Sequence, residues 1–588
     1  MSHNAVPAEA GRTRFVQGDG VRLAVREWGD AAAPTVLCVH GYPDDSSVWT
    51  DVAVRLAERF HVVAYDVRGA GDSGKPKERK DYLLDRLVAD LVAVAAAVSP
   101  DEPVHLLAHD WGSIQAWHAV TDPALKTRIR SYTSISGPCL DHAGHWIRDR
   151  LRKPSPRRLR ELLRQLVFSG YIGFFQLPFA PELAWRSGVL PKVMGRLVKL
   201  GDGVAIPPPV LADGLHGLQL YRANMPPRFA RPAQRRTEVP VQVLAPTRDP
   251  FVSTPVQTDI ARWVSDLRVR RIAGGHWLPR SRPEVIARCV TEFAEHLDGG
   301  PETRSLRRIR PMRPKQRWAD HLVLVTGAGS GIGRETALAF AEHGADVVVS
   351  DVDGESAAHT AELAERFGVT ASAHTVDVAD EKAMTAFAEE VRRGRGVPDV
   401  VVNNAGIGMA GALLDTSTED WQRVIDVNLW GVIHGSRLFA EQLVERGEGG
   451  HLVNIASAAA YLYSRTLPAY ATTKSAVLTL TQCLRAELAP HRIGVTAVCP
   501  GIVNTNITRS TRFVGLDDSQ QQRSRDRTAA LYRRRNYPPS KVARAILLAV
   551  HQDKPLAPVT PEAHAGLLIS RLTPGLLRAA ARRDLTPH

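Results

Sequence analysis

Cysteine is scarce: five in 588 residues, at positions 38, 139, 289, 483 and 499. Their odd number and lack of CxxC spacing exclude a disulfide frame and a thiolate metal site, leaving reduced thiols of the kind a cytosolic chain keeps. No run approaches the roughly 18 apolar residues of a membrane span. The opening stretch MSHNAVPAEAGRTRF has no apolar core, so export by a standard signal is not expected and a cytoplasmic chain is. Motifs that read DNA or RNA are missing too. The formal charge of +13 therefore reads as solvated surface rather than a nucleic-acid interface. It is concentrated in residues 148–164, in 304–317 and after Arg523. Internal repeats are also missing.

What is present is ordinary globular composition, 44% hydrophobic and 23% charged, on a chain too long for one core. From Val21 to about Leu297, short β-branched runs (VLCVH, HVVAYD, VHLLAHD, YTSISG, VQVLAP) alternate with helical patterns, predicting an α/β sheet. Residues 141–235, rich in Arg, Leu and Pro at helical spacing, break that rhythm as an inserted helical lid. Residues 299–318 combine Gly, Pro and dense charge, and predict a basic linker between a unit at 1–298 and another at 319–588. After it the alternation restarts with LVLVTG, DVVVSD, DVVVNNAG, HLVNIAS and VTAVCPG, which predicts a second, doubly wound parallel sheet. The tail from Leu567, LLISRLTPGLLRAAARR, is expected to form a basic amphipathic helix able to meet a membrane surface.

Each half carries a catalytic set. In the first, VHLLA runs into His109-Asp110-Trp111-Gly112, the strand-to-helix turn that presents a nucleophile. Asp110 stands where an esterase would have Ser. A carboxylate attacks alkyl carbon without prior deprotonation, which suits opening an epoxide or displacing a halide. Asp249 follows VQVLAP and can orient His276, in AGGHW, as base for a water. The backbone N–H groups of Tyr42, in HGYP, and Trp111 can form an oxyanion hole. With HGYP, HDWG and GGHW in order over about 280 residues, the first half resembles the epoxide hydrolases of the α/β-hydrolase fold. That resemblance implies two lid tyrosines, Tyr171 and Tyr221, bonding the leaving oxygen, and a vicinal diol as product. Haloalkane dehalogenases share HDWG and are the rival, but many carry Asn near Tyr42 and lack the tyrosine pair.

In the second half, Gly327, Gly331 and Gly333 remove side chains where a pyrophosphate would approach a helix N-terminus, with Ser330 and Ile332 in the same loop. Asp351, ending the next strand, can accept from both hydroxyls of an adenosine ribose and would repel a 2′-phosphate; Ser330 supplies no positive charge. NAD is expected over NADP. Ser457, Tyr470 and Lys474 complete the set. Lys474 lies one turn beyond Tyr470, so its ammonium is expected to lower the phenol pKa while Ser457 holds the substrate oxygen and Tyr470 exchanges its proton. With Asp377-Val378, Asn403-Asn404-Ala405-Gly406, Asn428 and Pro500-Gly501, residues of about 320–560 resemble the short-chain dehydrogenase/reductase family. The resemblance implies that Asn428 supports a proton relay through Lys474 and that residues from Ile502 to Thr505 line the nicotinamide side. It also implies pairing of copies through the long helices near Tyr470. The fusion as a whole resembles a two-domain actinobacterial type linked to oxygenated lipids, which implies lipophilic substrates. A non-catalytic dimerisation or anchoring role for one half is the alternative class, and both halves keep their nucleophile or base.

Overall fold

Long β-branched runs and glycine-marked turns set the two sheets, and the chain divides into two units, 1–312 and 313–588. The computed structural model describes residues 11–204, 207–311, 316–507 and 511–581. In the first unit the strands are β1 (Arg12–Gln17), β2 (Arg22–Trp28), β3 (Thr35–Val39), β4 (His61–Tyr65), β5 (Val104–His109), β6 (Ile129–Ile135), β7 (Val241–Pro246) and β8 (Leu267–Ile272). They form one sheet in the order β1-β2-β4-β3-β5-β6-β7-β8. The pairs β1–β2 and β2–β4 are antiparallel and all others parallel. Strands β3, β4 and β5 are buried throughout, which is why they read as continuous apolar runs. Between β6 and β7, across the stretch read as a lid, the described residues form six helices, from Leu140–Arg152 to Leu211–Ala230.

The boundary between the units falls inside the stretch 299–318 expected as a linker, and the part before it packs on the first unit. Arg304–Arg308 is a short helix whose Leu306 is fully buried, the Val269 N–H donates to the Ile309 carbonyl at 2.9 Å, and Arg268 pairs with Glu302 at 2.7 Å. Burying Leu306 and satisfying two strand arginines outweighs the flexibility that its charge and proline suggested. Residues 312–315 of that stretch lie outside the described residues.

The second unit contains β9 (Leu322–Thr326), β10 (Asp346–Asp351), β11 (Ala371–Thr375), β12 (Val400–Asn403), β13 (Met409–Ala410), β14 (Gly450–Ile455), β15 (Ile493–Cys499), β16 (Arg512–Phe513) and β17 (Leu556–Pro558). Seven form a parallel sheet in the order β11-β10-β9-β12-β14-β15-β17, with the order reversing beside β9. Crevices for dinucleotides open at such a reversal, outside the strand C-termini. The expected tail helix is instead two helices, Pro561–Leu572 and Pro574–Ala580, because Pro574 has no N–H to continue the first. Among the described residues no helix is long and apolar enough to cross a membrane.

Candidate active sites

Strand β5 ends at His109 and the helix Trp111–Val120 begins two residues later, so Asp110 alone makes the turn, with φ 51° and ψ −121°. A non-glycine residue held there costs strain, and strain of this kind collects at functional sites. Glycine makes the turn possible. A Cβ on Gly112 would fall 2.3 Å from the Val39 carbonyl oxygen, and one on Gly137 2.2 Å from that of Asp110.

The turn delivers the Asp110 carboxylate to its expected partners. Its Oδ1 accepts the Tyr42 N–H at 2.8 Å, and its Oδ2 lies 3.4 Å from His276 Nε2. On the other side of the ring, His276 Nδ1 lies 3.0 Å from Asp249 Oδ2, while Asp249 Oδ1 accepts the N–H groups of Phe251 and Val252. Trp111 opens its helix, where the first N–H groups have no intrahelical acceptor. Burial works against charging His276, but the carboxylates of Asp249 and Asp110 outweigh it and hold the imidazolium up to about 10. Burial would likewise raise Asp110; His276 outweighs it and keeps the carboxyl below its usual range.

An aromatic wall closes over it. Tyr221 meets Trp111 at 4.9 Å and Tyr42 at 5.4 Å between ring centroids, Tyr171 meets Tyr221 at 5.8 Å, and Phe251 bridges Tyr171 (5.4 Å) to His276 (4.9 Å). Burial, and the nearby Asp110 charge, push both lid phenols up, so they stay protonated and able to donate. Sequence reasoning missed Phe251 and, more consequentially, Asp202. This last residue of the lid helix Val189–Asp202 accepts the N–H of Gly275 at 2.7 Å and of Trp277 at 3.2 Å, the two neighbours of His276, and the Ser281 hydroxyl at 3.0 Å. Only the doubled glycine of AGGHW hinted at it: a Cβ on Gly275 would lie 2.5 Å from Asp202 Oδ2.

In the second unit the glycine turn is a cradle. Gly327 and Gly331 have φ of 61° and 57°; a Cβ on Gly327 would meet Ala405 Cα at 2.6 Å, and one on Gly333 the Gly327 carbonyl oxygen at 2.2 Å. Ser330 precedes the helix Gly331–Glu342, and Ile332 packs into the core beneath it. Asp351, at the end of β10, accepts the Gly329 N–H at 2.8 Å. Asn404 ties its neighbour strand to the turn by donating to the carbonyls of Thr326 and Gly327 at 3.0 and 2.9 Å. Asp377 turns its chain by accepting the Ala379 N–H, and Val378 packs against Gly431. Thr505 faces Gly331, 3.4 Å from where its Cβ would be. These surroundings fit a dinucleotide: backbone open to an anion at a helix start and a carboxylate at the ribose position.

Ser457 caps a short turn after β14: its hydroxyl oxygen accepts the Ala459 N–H at 3.1 Å, and its hydroxyl donates to the Pro500 carbonyl at 3.5 Å. Asn428 sits in a π-turn, Asp426–Trp430, that swings its side chain onto Ile407, accepting from the N–H at 2.8 Å and donating to the carbonyl at 3.0 Å. Gly406 lies between Asn428 and Lys474: a Cβ there would meet them at 3.1 and 3.4 Å. One expectation needs correcting. The Lys474 ammonium is 5.8 Å from the Tyr470 ring centroid and donates to the Ile455 carbonyl at 2.9 Å. Burial, not their mutual field, dominates both groups, pushing Tyr470 up to about 12 and Lys474 down to about 8. Sequence reasoning also missed Glu562. Its carboxylate accepts the Ile502 N–H at 2.8 Å, pairs with Arg535, and occupies the space beside Gly501.

Comparison with known proteins agrees with both halves. An α/β-hydrolase-fold family matches residues 34–280, and the short chain dehydrogenase family matches 321–513. The chain is 42% identical over 590 residues to "Probable oxidoreductase EphD" of Mycobacterium tuberculosis (strain H37Rv), covering 98% of this chain and 99% of that one. It therefore belongs to the family of two-domain proteins in which an α/β-hydrolase unit precedes a short-chain dehydrogenase unit. The second half alone is 38% identical over 206 residues to the 1-deoxy-11-beta-hydroxypentalenate dehydrogenase of Streptomyces exfoliatus, covering 33% of this chain and 73% of that one. It is also similar to the crystal structure of a short chain dehydrogenase/reductase from Burkholderia phymatum in complex with NAD (28% identical, TM-score 0.41, 46% of this chain and 98% of that one).

Proposed function

We propose that the chain is a bifunctional enzyme: the first unit hydrolyses epoxides to vicinal diols through a covalent aspartyl ester, and the second oxidises or reduces alcohol and ketone carbon with NAD. The observation that carries the first reading is a strained carboxylate facing a histidine, beneath two protonated phenols. Asp110 attacks a ring carbon; the C–O bond breaks, and the departing oxygen takes a proton from Tyr171 or Tyr221. Alkylation removes the Asp110 charge, so His276 loses one of the two carboxylates that kept it protonated. It returns its Nε2 proton to the phenolate left by the first step, and the neutral ring then takes a proton from water, which attacks the ester carbonyl. The Tyr42 and Trp111 N–H groups receive the developing oxyanion; as the acyl–oxygen bond breaks, the leaving alkoxide takes the proton from His276, the new Asp110 acid gives one back to His276, and the diol departs with carboxylate and imidazolium restored. The tyrosine pair favours an epoxide over a haloalkane, whose leaving halide needs no proton.

In the second unit a bound nicotinamide supplies hydride acceptance and donation. Ser457 and Tyr470 hold the substrate oxygen, Tyr470 passes the proton, and Lys474 and Asn428 order the phenol. Asp351 favours a free 2′-hydroxyl, hence NAD. Incubating the protein with a panel of lipophilic epoxides, with Asp110→Asn as control, tests the first activity. Diol from the parent and none from the variant is expected, and equal diol from both refutes it. For the second, NADPH binding tighter than NADH by isothermal titration would overturn the reading of Asp351.

A further inference from the structure

The lid turns its tyrosines inward, but its outer face is unusual. Ten large apolar side chains between Leu151 and Val193 stand exposed, among them Phe179 (83%), Val167 (77%), Leu183 (69%) and Leu163 (63%). A soluble surface scatters such residues singly; here they follow one another along consecutive, mutually touching helices, Pro156–Phe168, Gly170–Gln176, Ala180–Arg186 and Val189–Asp202. On the first of these, Leu159, Leu163, Leu166 and Val167 fall within one stripe at 100° per residue. Leu162 and Gln165 are buried on one side of it, and Arg160 and Arg164 adjoin the other.

Two further observations choose what covers this face. Residues 153–199 hold nine Lys or Arg against two Glu, and both glutamates are spent in pairs, Glu161 with Arg150 and Arg157 and Glu182 with Arg222. The face is therefore apolar with a strongly positive rim. Phe179 also holds a left-handed backbone, φ 61°, while its ring is almost wholly exposed. A bulky residue in that conformation is strained, and no packing within the fold compensates it. An exposed phenylalanine, leucines and valines beside arginines and lysines match the boundary between headgroups and acyl chains in an anionic bilayer.

We infer that the outer face of the lid is a docking surface for an anionic lipid bilayer, seating the first active site's lid against the membrane. This surface is built from residues of the first unit alone, and it does not depend on which bond Asp110 breaks. It is tested by co-sedimentation of the full-length protein with vesicles of phosphatidylglycerol and phosphatidylcholine, against pure phosphatidylcholine, at about 0.1 M salt. The parent should bind the anionic vesicles and bind the neutral ones at least tenfold more weakly. Leu163→Ser with Val167→Ser and Phe179→Asn should lower binding at least tenfold with an unchanged melting curve, since all three side chains are exposed and Asn tolerates the left-handed backbone. Arg160→Glu with Arg164→Glu should lower it about 30-fold or more. Leu568→Ser with Leu572→Ser on the C-terminal helices should leave it unchanged. The inference is overturned if the parent ignores anionic vesicles, if it binds neutral ones equally, or if only the C-terminal variant loses binding. It is also overturned if the lid triple variant turns an oligomer into a smaller species by light scattering, which would make a second copy the occupant.

Discussion

Replacing Asp110 by Asn should change the charge of a residue it does not touch covalently. In the parent, His276 Nε2 lies 3.4 Å from Asp110 Oδ2 and Nδ1 lies 3.0 Å from Asp249 Oδ2, and the ring stays protonated to about 10. An Asn keeps the shape and still accepts the Tyr42 N–H, but it carries no charge and presents an N–H to Nε2. Two unit charges 3.4 Å apart at an effective dielectric near 20 interact by about 5 kcal/mol. Losing most of that should bring the imidazolium midpoint down to between about 6.5 and 8. The amide is also an uncharged mimic of an alkylated aspartate, so on the proposed mechanism the same fall would be the event that frees His276 to act as base. Proton NMR titration of the His276 ring in both proteins measures it. The sign for stability follows: a raised histidine pKa stabilises the fold below about 6.5 and loses that contribution as pH climbs toward about 10. Measured against the variant, in which every other titrating group is unchanged, the parent should therefore lose melting temperature between pH 7 and 10. A His276 midpoint that is the same in both proteins would refute the coupled-charge account of the site.

Three further expectations can be checked on purified protein. His276→Gln should let Asp110 be alkylated but not released, so intact-mass spectrometry should find the protein heavier by one epoxide; an unmodified mass under excess epoxide counts against the ester. Tyr470→Phe should lower alcohol oxidation by a factor of at least about 100 while NADH binding, followed by fluorescence, changes less than threefold, because on the proposed mechanism the lost hydroxyl serves the substrate oxygen and not the cofactor. Lys474 is buried and held down to about 8, from an ordinary value of 10.5, so charging it opposes folding below pH 8 and the fold gains stability as pH rises from about 8 to 10.5. Lys474→Met should remove that rise and melt a few degrees higher at pH 7; a lower melting point there would show the ammonium to be stabilising.

The parts of the fold legible in the sequence were those with local signatures. β3, β5, β9 and β12 are buried apolar runs leading into loops of unmistakable composition, and chain order alone put Asp110, Asp249 and His276 in one site. The edge strands escaped. β1 has a single buried side chain, Val16, so its apolar pattern is too thin to read, and β11 has none. Long-range pairing escaped for a different reason. Asp202 meets Gly275 from 73 residues away and Glu562 meets Ile502 from 60, and nothing local distinguishes either carboxylate from a solvated one. Lys474 was misjudged because helix spacing places it one turn from Tyr470 but does not say that the Ile455 carbonyl competes for its ammonium.

Asp202 ends a lid helix and grips both neighbours of His276. On the proposed ester mechanism, that grip would give the first site an order of events. Any movement of the helix would slacken the loop that carries the base, so a lid lifted while Asp110 still carried its cargo would disarm the group meant to free it. Departure of the diol, by contrast, would need no base. The arrangement would then act as a latch with one safe moment to open, after the water has done its work.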